Sequence, residues 1–597
     1  YYLLRIYSRT GIWIMTISNN KLLVGAAGAG GGAGLDVDEV FNITLYNGNN
    51  TTNNIVNGID FSGEGGMLWI KNRTDGGGPH TIYDTVRGNN SGLRTNSNDD
   101  AETGTNNSQD LTAFNNNGFS LGTGWAENVN YSDKPYCAWS FRKAENFFDV
   151  QTYTGSGENG QTINHDLGVA PGMVWVKSLD ASSAWYVYHR SLGSGEHLKL
   201  NNTSEVSTDS NYEIGKATAT ATQFSIDTGS DIDYNGHTYV AYFFAHNNDD
   251  GGFGPNADQD IIKCGKYTGD GGTAATEINL GFEPQFLFIR GISSADNWYL
   301  VDSMRGLSHH PNVSNDVNLY VNEPNAESAI GLVDLTSTGF KTTLYGNANV
   351  NTREYIYMAI RRGPMSEPSD VDDVFSVNIR GTGDSPNNVW PIGFNADMNI
   401  NTKTSGATRY LFARGTAMKS LAIDSTSQAG DASDSTFFNS KTNTLDANTN
   451  WWSTSTNVIS YSWKRAPKYF DHLAYTGNGT AGRSLTHNLG VAPEMTWIKR
   501  MDSASNWRVN IAALGTNGSD SPSLRLNLTN AAEDDNGSYY GNNNSGGYSA
   551  PTATALTLGG HTDVNGDGSY YSAFLFATLA GISKVGTYVG NATNDRV

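Results

Sequence analysis

Five short runs along the chain carry apolar residues almost without interruption and then stop at a charged or turn-forming residue. They are GMLWIKNR (66–73), GMVWVKSL (172–179), QFLFIRGI (285–292), RYLFARGT (409–416) and EMTWIKRM (494–501). Each is too short for a helix and rich in aromatic and branched residues, so each reads as a strand. A second aromatic strand follows later in every unit: YCAWSFRKA from Tyr136, YVAYFFAHN from Tyr239, YIYMAIRRG from Tyr355 and YSAFLFATL from Tyr571, with ISYSWKRAP from Ile459 fitting the fourth copy at shorter spacing. A third signature precedes the first: LYNG from Leu45, YTG at Tyr153, Tyr267 and Tyr475, and TYVG from Thr587, which starts a sixth copy. The repeat period is about 85 to 125 residues, too long for a solenoid unit of ~20–50 and matched to a β-sandwich of ~100.

Within the second copy, alternating or aromatic-rich runs fall at 148–153, 161–166, 173–178, 185–189, 197–200, 218–227 and 239–246, separated by Gly, Asn and Asp turns. The pattern predicts an all-β protein of tandem β-sandwich domains, jelly-roll or lectin-like, in about five copies joined by short linkers like beads on a string. The expected units are 39–144, 145–256, 257–368, a degenerate 369–467, and 468–580, with the start of a further copy at 581–597. Ahead of them, residues 1–14 have no clear pattern, Met15 opens a segment that reads like a natural start, and the glycine-rich run at 25–34 reads as a flexible linker ending near residue 38.

Composition supports this reading. The 597 residues include 68 Gly, 11% aromatic and 16% charged residues, which suits short strands and polar turns over helices. A net charge of −21 opposes binding to nucleic acid, whose affinity rests on Lys and Arg meeting phosphates. Cys137 and Cys264 lie in different copies, so no disulfide framework is expected. No run is long and apolar enough for a transmembrane helix, and membrane insertion is not expected.

The ordered series DTVRG, LTAFNNNGFSLG, the YCAWSFRKA strand, FFDVQTYTGSG and HDLGVAPGMVWVK resembles an uncharacterised repeat domain of marine tailed phages (cyanophage-like), found in tail-fibre and other virion proteins. The match is dense over 39–247, good over 469–579 and thinnest over 373–467, where the HxLGxxP segment is lost. The resemblance implies a virion location, other virion proteins as partners and a structural role. It brings no catalytic residues.

Residues that recur between copies within one chain point to scaffold. His165 in HDLG and His487 in HNLG hold the same place before a GVAP turn, as a turn-capping or packing histidine would. Asp84 with Arg87, and Asp302 with Arg305, are placed to pair across a turn. Trp185, Trp298 and Trp507 recur in DASSAW, SSADNW and DSASNW; each either anchors a core or offers a ring at a strand edge on which a sugar can stack, and these are the candidate glycan-binding residues. Asp563, Asn565 and Asp567 in DVNGDGS resemble the first half of a calcium loop, but Phe574 stands where the bidentate Glu is expected. Apart from that calcium candidate no cofactor is implied. There is no HExxH, P-loop, paired-Cys or GxSxG pattern, and no copy gathers acids for glycoside hydrolysis, so an extracellular hydrolase is the weakest reading. The expected function is a non-enzymatic virion appendage with multivalent host-glycan contact and self-association within its partners' assembly; the alternative is a bacterial surface adhesin.

Overall fold

The computed structural model describes residues 34–589 except 104–108, 124–127, 209–213, 228–230, 273–275, 309–316, 344–346, 381–388, 404–408, 417–418, 431–435, 440–441, 446–456, 516–521, 535–536 and 542–546. Of residues 1–33 it describes only the backbone of an antiparallel pair, Leu3–Ser8 with Gly11–Thr16. The glycine-rich linker at 25–33 and the end of the sixth copy at 590–597 lie outside the described residues.

The protein is all-β and built from tandem repeats; among the described residues, α-helix is confined to the single turns Val37–Val40, Phe61–Glu64 and Thr562–Asn565. The strands fall into five units of one topology. In the second, the larger sheet runs in the order Phe148–Thr154, Thr238–Phe244, Met173–Ser178, Tyr186–His189, Glu196–Lys199 and Ser207–Thr208, and the smaller sheet in the order Gln161–Asn164, Gln223–Ile226 and Ile214–Ala219. First and last strands are thus neighbours, which brings the recurrent tyrosines of the two sequence signatures face to face. Tyr46 stacks on Tyr136, Tyr153 on Tyr239, Tyr267 on Tyr355 and Tyr475 on Tyr571, with centroids 5.1, 5.0, 5.1 and 5.2 Å apart. The first tyrosine of each pair donates its hydroxyl to a carbonyl of the loop before the last strand, at Val129, Ile232, Ala348 and Val564. This pins the ends of each repeat together.

The apolar run lies third in the sheet, with both faces covered, as a continuous hydrophobic strand requires. In the first repeat, Leu68 and Ile70 point to the smaller sheet and pack with Ile55 and Phe119. Met67 and Trp69 point the other way, into a core containing residues of three repeats.

That shared core corrects the expectation of separate beads. Trp69, Trp175 and Phe288 hold the same place in repeats 1, 2 and 3, and their rings meet, with centroids 5.7 Å (69 to 175), 5.6 Å (175 to 288) and 6.4 Å (69 to 288) apart. The seams around this axis repeat in one sense. Ala101 N donates to Leu179 O at 3.1 Å, Val206 N to Ile292 O at 3.1 Å, and Glu327 N to Arg73 O at 2.9 Å. These bonds join repeat 1 to 2, 2 to 3 and 3 back to 1, so the first three repeats close into a ring with pseudo-threefold symmetry. Each axis aromatic buries on the order of 150–250 Å², roughly 4–6 kcal/mol gross at ~25 cal/mol/Å².

Repeats 4 and 5 form one seam of the same kind, with Ala429 N donating to Met501 O at 2.9 Å. The fourth repeat also corrects a strand assignment. The strand in the third position is Met398–Lys403, with Met398 opposite Trp463 just as Met67 is opposite Phe141. RYLFARGT supplies the next strand outward, Tyr410–Ala413. The inner strand reads MNINTK, and its buried Asn399 is held by Ser460 Oγ, Tyr461 O and Ser462 Oγ, so apolarity no longer marks it.

Candidate functional site

The three tryptophans singled out for sugar stacking are the principal seam residues. Trp185, Trp298 and Trp507 each have 0% exposure. Their indole N–H groups donate to a carbonyl of the preceding repeat: Trp185 to Arg94 O at 3.0 Å, Trp298 to Lys199 O at 2.9 Å and Trp507 to Ala422 O at 2.8 Å. His80 takes the same position in repeat 1, facing the Tyr320 carbonyl of repeat 3 across the closing seam. The sugar platform is therefore corrected: a ring sealed between two sheets presents no face to a ligand.

Two residues beyond each axis aromatic stands a buried base. Lys71 Nζ donates to Pro324 O at 2.9 Å, Lys177 to Asn98 O at 3.3 Å, Lys499 to Thr426 O at 3.3 Å, and Arg290 to Ser204 O, in every case a carbonyl of the neighbouring repeat. Burial pushes all three lysines down to about 8. The third set of seam contacts uses the pairs anticipated across a turn. Arg87 Nε reaches Asp84 at 2.6 Å and Arg305 Nε reaches Asp302 at 2.6 Å. Asp84 also accepts from Tyr242 of repeat 2 at 2.7 Å, and Asp302 from Trp139 of repeat 1 at 3.0 Å. At the equivalent place in repeat 2, His189 Nε2 lies 3.1 Å from Tyr357 O of repeat 3, and burial lowers its pKa to about 4.

His165 and His487 cap the turn that follows them, each ring Nδ1 accepting from the backbone two residues on at 3.3 Å, and burial lowers both pKa values. The calcium candidates diverge. Asp563 Oδ2 is taken by Arg508 at 2.7 and 2.9 Å, while Asn565 points inward and donates to Thr480 O and Gly559 O. Asp567 follows on the tip of the turn, and no group of metal-ligating side chains occurs among the described residues.

The most concentrated charge chemistry lies where the ring meets repeats 4 and 5. Arg465 forks onto Glu283 with two bonds of 2.8 Å and reaches Asp471 Oδ1 at 2.6 Å from Nε. Arg362 bridges Glu283 and Asp397, and Asp397 accepts from the Arg465 backbone at 2.7 Å. Burial alone would raise Glu283 and Asp397, but the surrounding guanidiniums outweigh it and hold both carboxyls below their usual range. Burial, reinforced by Arg465 and Arg362, lowers His472 to about 3. Buried charges hydrogen-bonded to one another across repeats fix those surfaces together, because separating them leaves each charge uncompensated. On the other side, Lys464 pairs with Asp38 at 2.9 Å, and Asp36 accepts from the Met365 and Ser366 backbones at 2.9 Å.

Two clefts flank the cluster. One, of about 400 Å³, is bordered by Asn42, Asn57, Gln285, Ser303, Asn395 and Asp397 from repeats 1, 3 and 4; the other, of about 280 Å³, lies between repeats 3, 4 and 5. Sequence reasoning passed over these residues, although paired bases ending the last strands as FRKA, IRRG and WKRA were a visible signal.

A family model described as a domain of unknown function (DUF7483) matches residues 36–364 and again 368–597. No curated protein and no solved structure matches the chain. The first match takes in the three repeats of the closed ring, and the second begins with repeat 4; the chain belongs to the DUF7483 family and carries two matches to its domain.

Proposed function

We propose that the protein is a non-enzymatic structural component of a virion, a tail-fibre-like appendage that holds host-contacting loops on a rigid β framework and meets surface glycans through several weak sites at once. The observation that carries this reading is how the recurrent residues are used. Tryptophans, lysines, tyrosines and Asp–Arg pairs at matching positions are spent on packing one strand or repeat against another, and the recurrent histidines on capping turns. A framework that commits its recurrent chemistry to assembly leaves recognition to the loops and clefts between units. The polar cleft lined by Asn42, Gln285 and Ser303 offers the amide and hydroxyl groups that sugar hydroxyls pair with. The resemblance of its strand series to repeats of marine-phage virion proteins supports the same location.

The test has two arms. Immunogold labelling of purified phage particles with antibody against the chain should decorate an external appendage; label confined to a bacterial envelope would favour the adhesin reading instead. On a glycan array the full chain should bind without cleaving any arrayed sugar, and Trp185→Ala should lower the melting temperature before it alters binding. Cleavage of an arrayed glycan would overturn the non-enzymatic assignment.

A further inference from the structure

The pair formed by repeats 4 and 5 leaves bare the surface that the first ring buries. In repeat 1 the axis-facing residues of the first strand, Ile43 and Leu45, are 1% and 6% exposed. Register places Val377 and Ile379 at the same positions in repeat 4, since Phe375 lies opposite Trp463 as Phe41 lies opposite Phe141. They are 48% and 67% exposed. Repeat 5 shows the matching defect on its outer edge. Leu526 precedes the asparagine that accepts from the Trp507 backbone, as Leu200 precedes the one serving Trp185, yet Leu526 is 36% exposed and Leu200 is 0%. Trp463, Trp497 and Phe576, facing what would be the second axis, are only partly buried.

These faces have the geometry of a ring with one place unfilled. Its seam is formed between repeats 4 and 5, while repeat 4 lacks the partner repeat 3 provides to repeat 1, and repeat 5 lacks the partner repeat 3 provides to repeat 2. We infer that this place takes a third repeat of the same fold, whose first strand begins at Ser583. The Leu579–Ser583 bridge reproduces those of Ala144–Phe148 and Ala466–Phe470, which precede repeats 2 and 5. Counting from the bridge, Tyr588 falls where Tyr153 and Tyr475 fall, in the sequence TYV against TYT and AYT. Tyr588 and Val589 are 80% and 93% exposed, and the tyrosines at that position elsewhere are stacked inside a finished repeat. Through such a unit the second family match, which begins with repeat 4, would become a second closed ring.

The occupant makes specific demands. It should bring a ring N–H to the Arg525 carbonyl, the counterpart of the Arg94 and Lys199 carbonyls, and an axis aromatic to Trp497. Repeat 3 carries both features as Trp298 and Phe288.

The experiment joins residues 262–364 after Ile582 in place of residues 583–597, and compares hydroxyl-radical labelling of Val377, Ile379 and Leu526 with the unextended chain. A parallel extension uses residues 148–256, so that a single poor junction does not decide the result. Loss of labelling at these residues in either extended chain, with the molecule monomeric, supports the inference. Unchanged labelling in both, with circular dichroism and hydrodynamic size showing that the added units have folded, overturns it. So does a dimer of the unextended chain that protects the same residues and is lost on Val377→Asp with Ile379→Asp, because a second copy would then be the occupant.

Discussion

The closed ring of repeats 1 to 3 and the open pair of repeats 4 and 5 share topology, strand register and seam bonds, yet equivalent side chains live in different surroundings. Trp175 is sealed on the axis by Trp69 and Phe288, whereas its counterpart Trp497 is only partly covered. The difference teaches that the burial of an axis residue here is decided by whether the neighbouring repeat is present, and not by its own strand. The two regions differ in composition as well. The axis place held by Trp or Phe in the ring is Ile400 in repeat 4, and the strand around it has turned polar.

The largest effect expected from breaking the comparison is at the axis. Trp175→Ala should cost about 3–5 kcal/mol in chemical denaturation, the usual range for emptying a fully packed aromatic site. Val377→Ala in the open pair should stay within about 0.5 kcal/mol, as exposed substitutions do. Equal losses would mean that repeats 4 and 5 find a cover in solution.

Next comes the lock between the two parts. Arg465→Ala takes away the cation that Glu283 and Asp471 share and leaves Glu283 with Arg362 alone, and removing one partner of a buried pair typically costs about 3–5 kcal/mol. Limited proteolysis should then separate ring from pair before either unfolds, and cleavage within the ring first would contradict that role.

Acid should act through the seam between repeats 2 and 3. His189 is neutral when folded, with a pKa near 4, and an unfolded histidine titrates near 6.5. Between those values the unfolded chain binds more protons, so stability contributed by the neutral ring is present above about pH 6.5 and is lost as pH falls toward 4. From pH 6.5 to 5 this amounts to roughly 2 kcal/mol at about 1.4 per unit. His189→Gln should flatten that part of the melting-temperature profile, and an unchanged slope would assign the acid sensitivity elsewhere. At the equivalent place in repeat 4, which faces repeat 5, stands Ala413, so the pair's own seam lacks this term.

The smallest expected effect concerns calcium. With Asp563 committed to Arg508, millimolar calcium should leave the melting temperature unchanged; a rise abolished by Asp567→Asn would restore the loop as a metal site.

The strand signatures, their repetition and the tyrosine positions were legible in the sequence because strand formation and first-to-last pairing depend on local alternation and on residues within one repeat. The apolar run of GMLWIKNR and its copies likewise read as a strand, but such a run is silent about what covers its second face. That face meets residues more than a hundred positions away, as when Lys71 bonds Pro324. For the same reason the sequence left Trp185, Trp298 and Trp507 open to a sugar-platform reading beside the core-anchor one, and RYLFARGT passed for the inner strand of repeat 4. Which sheet lies over a ring, and whether a charge such as Arg465 finds Glu283, is set by how repeats close on one another. Ring closure depends on the summed geometry of all the seams, so only the tertiary structure decided it.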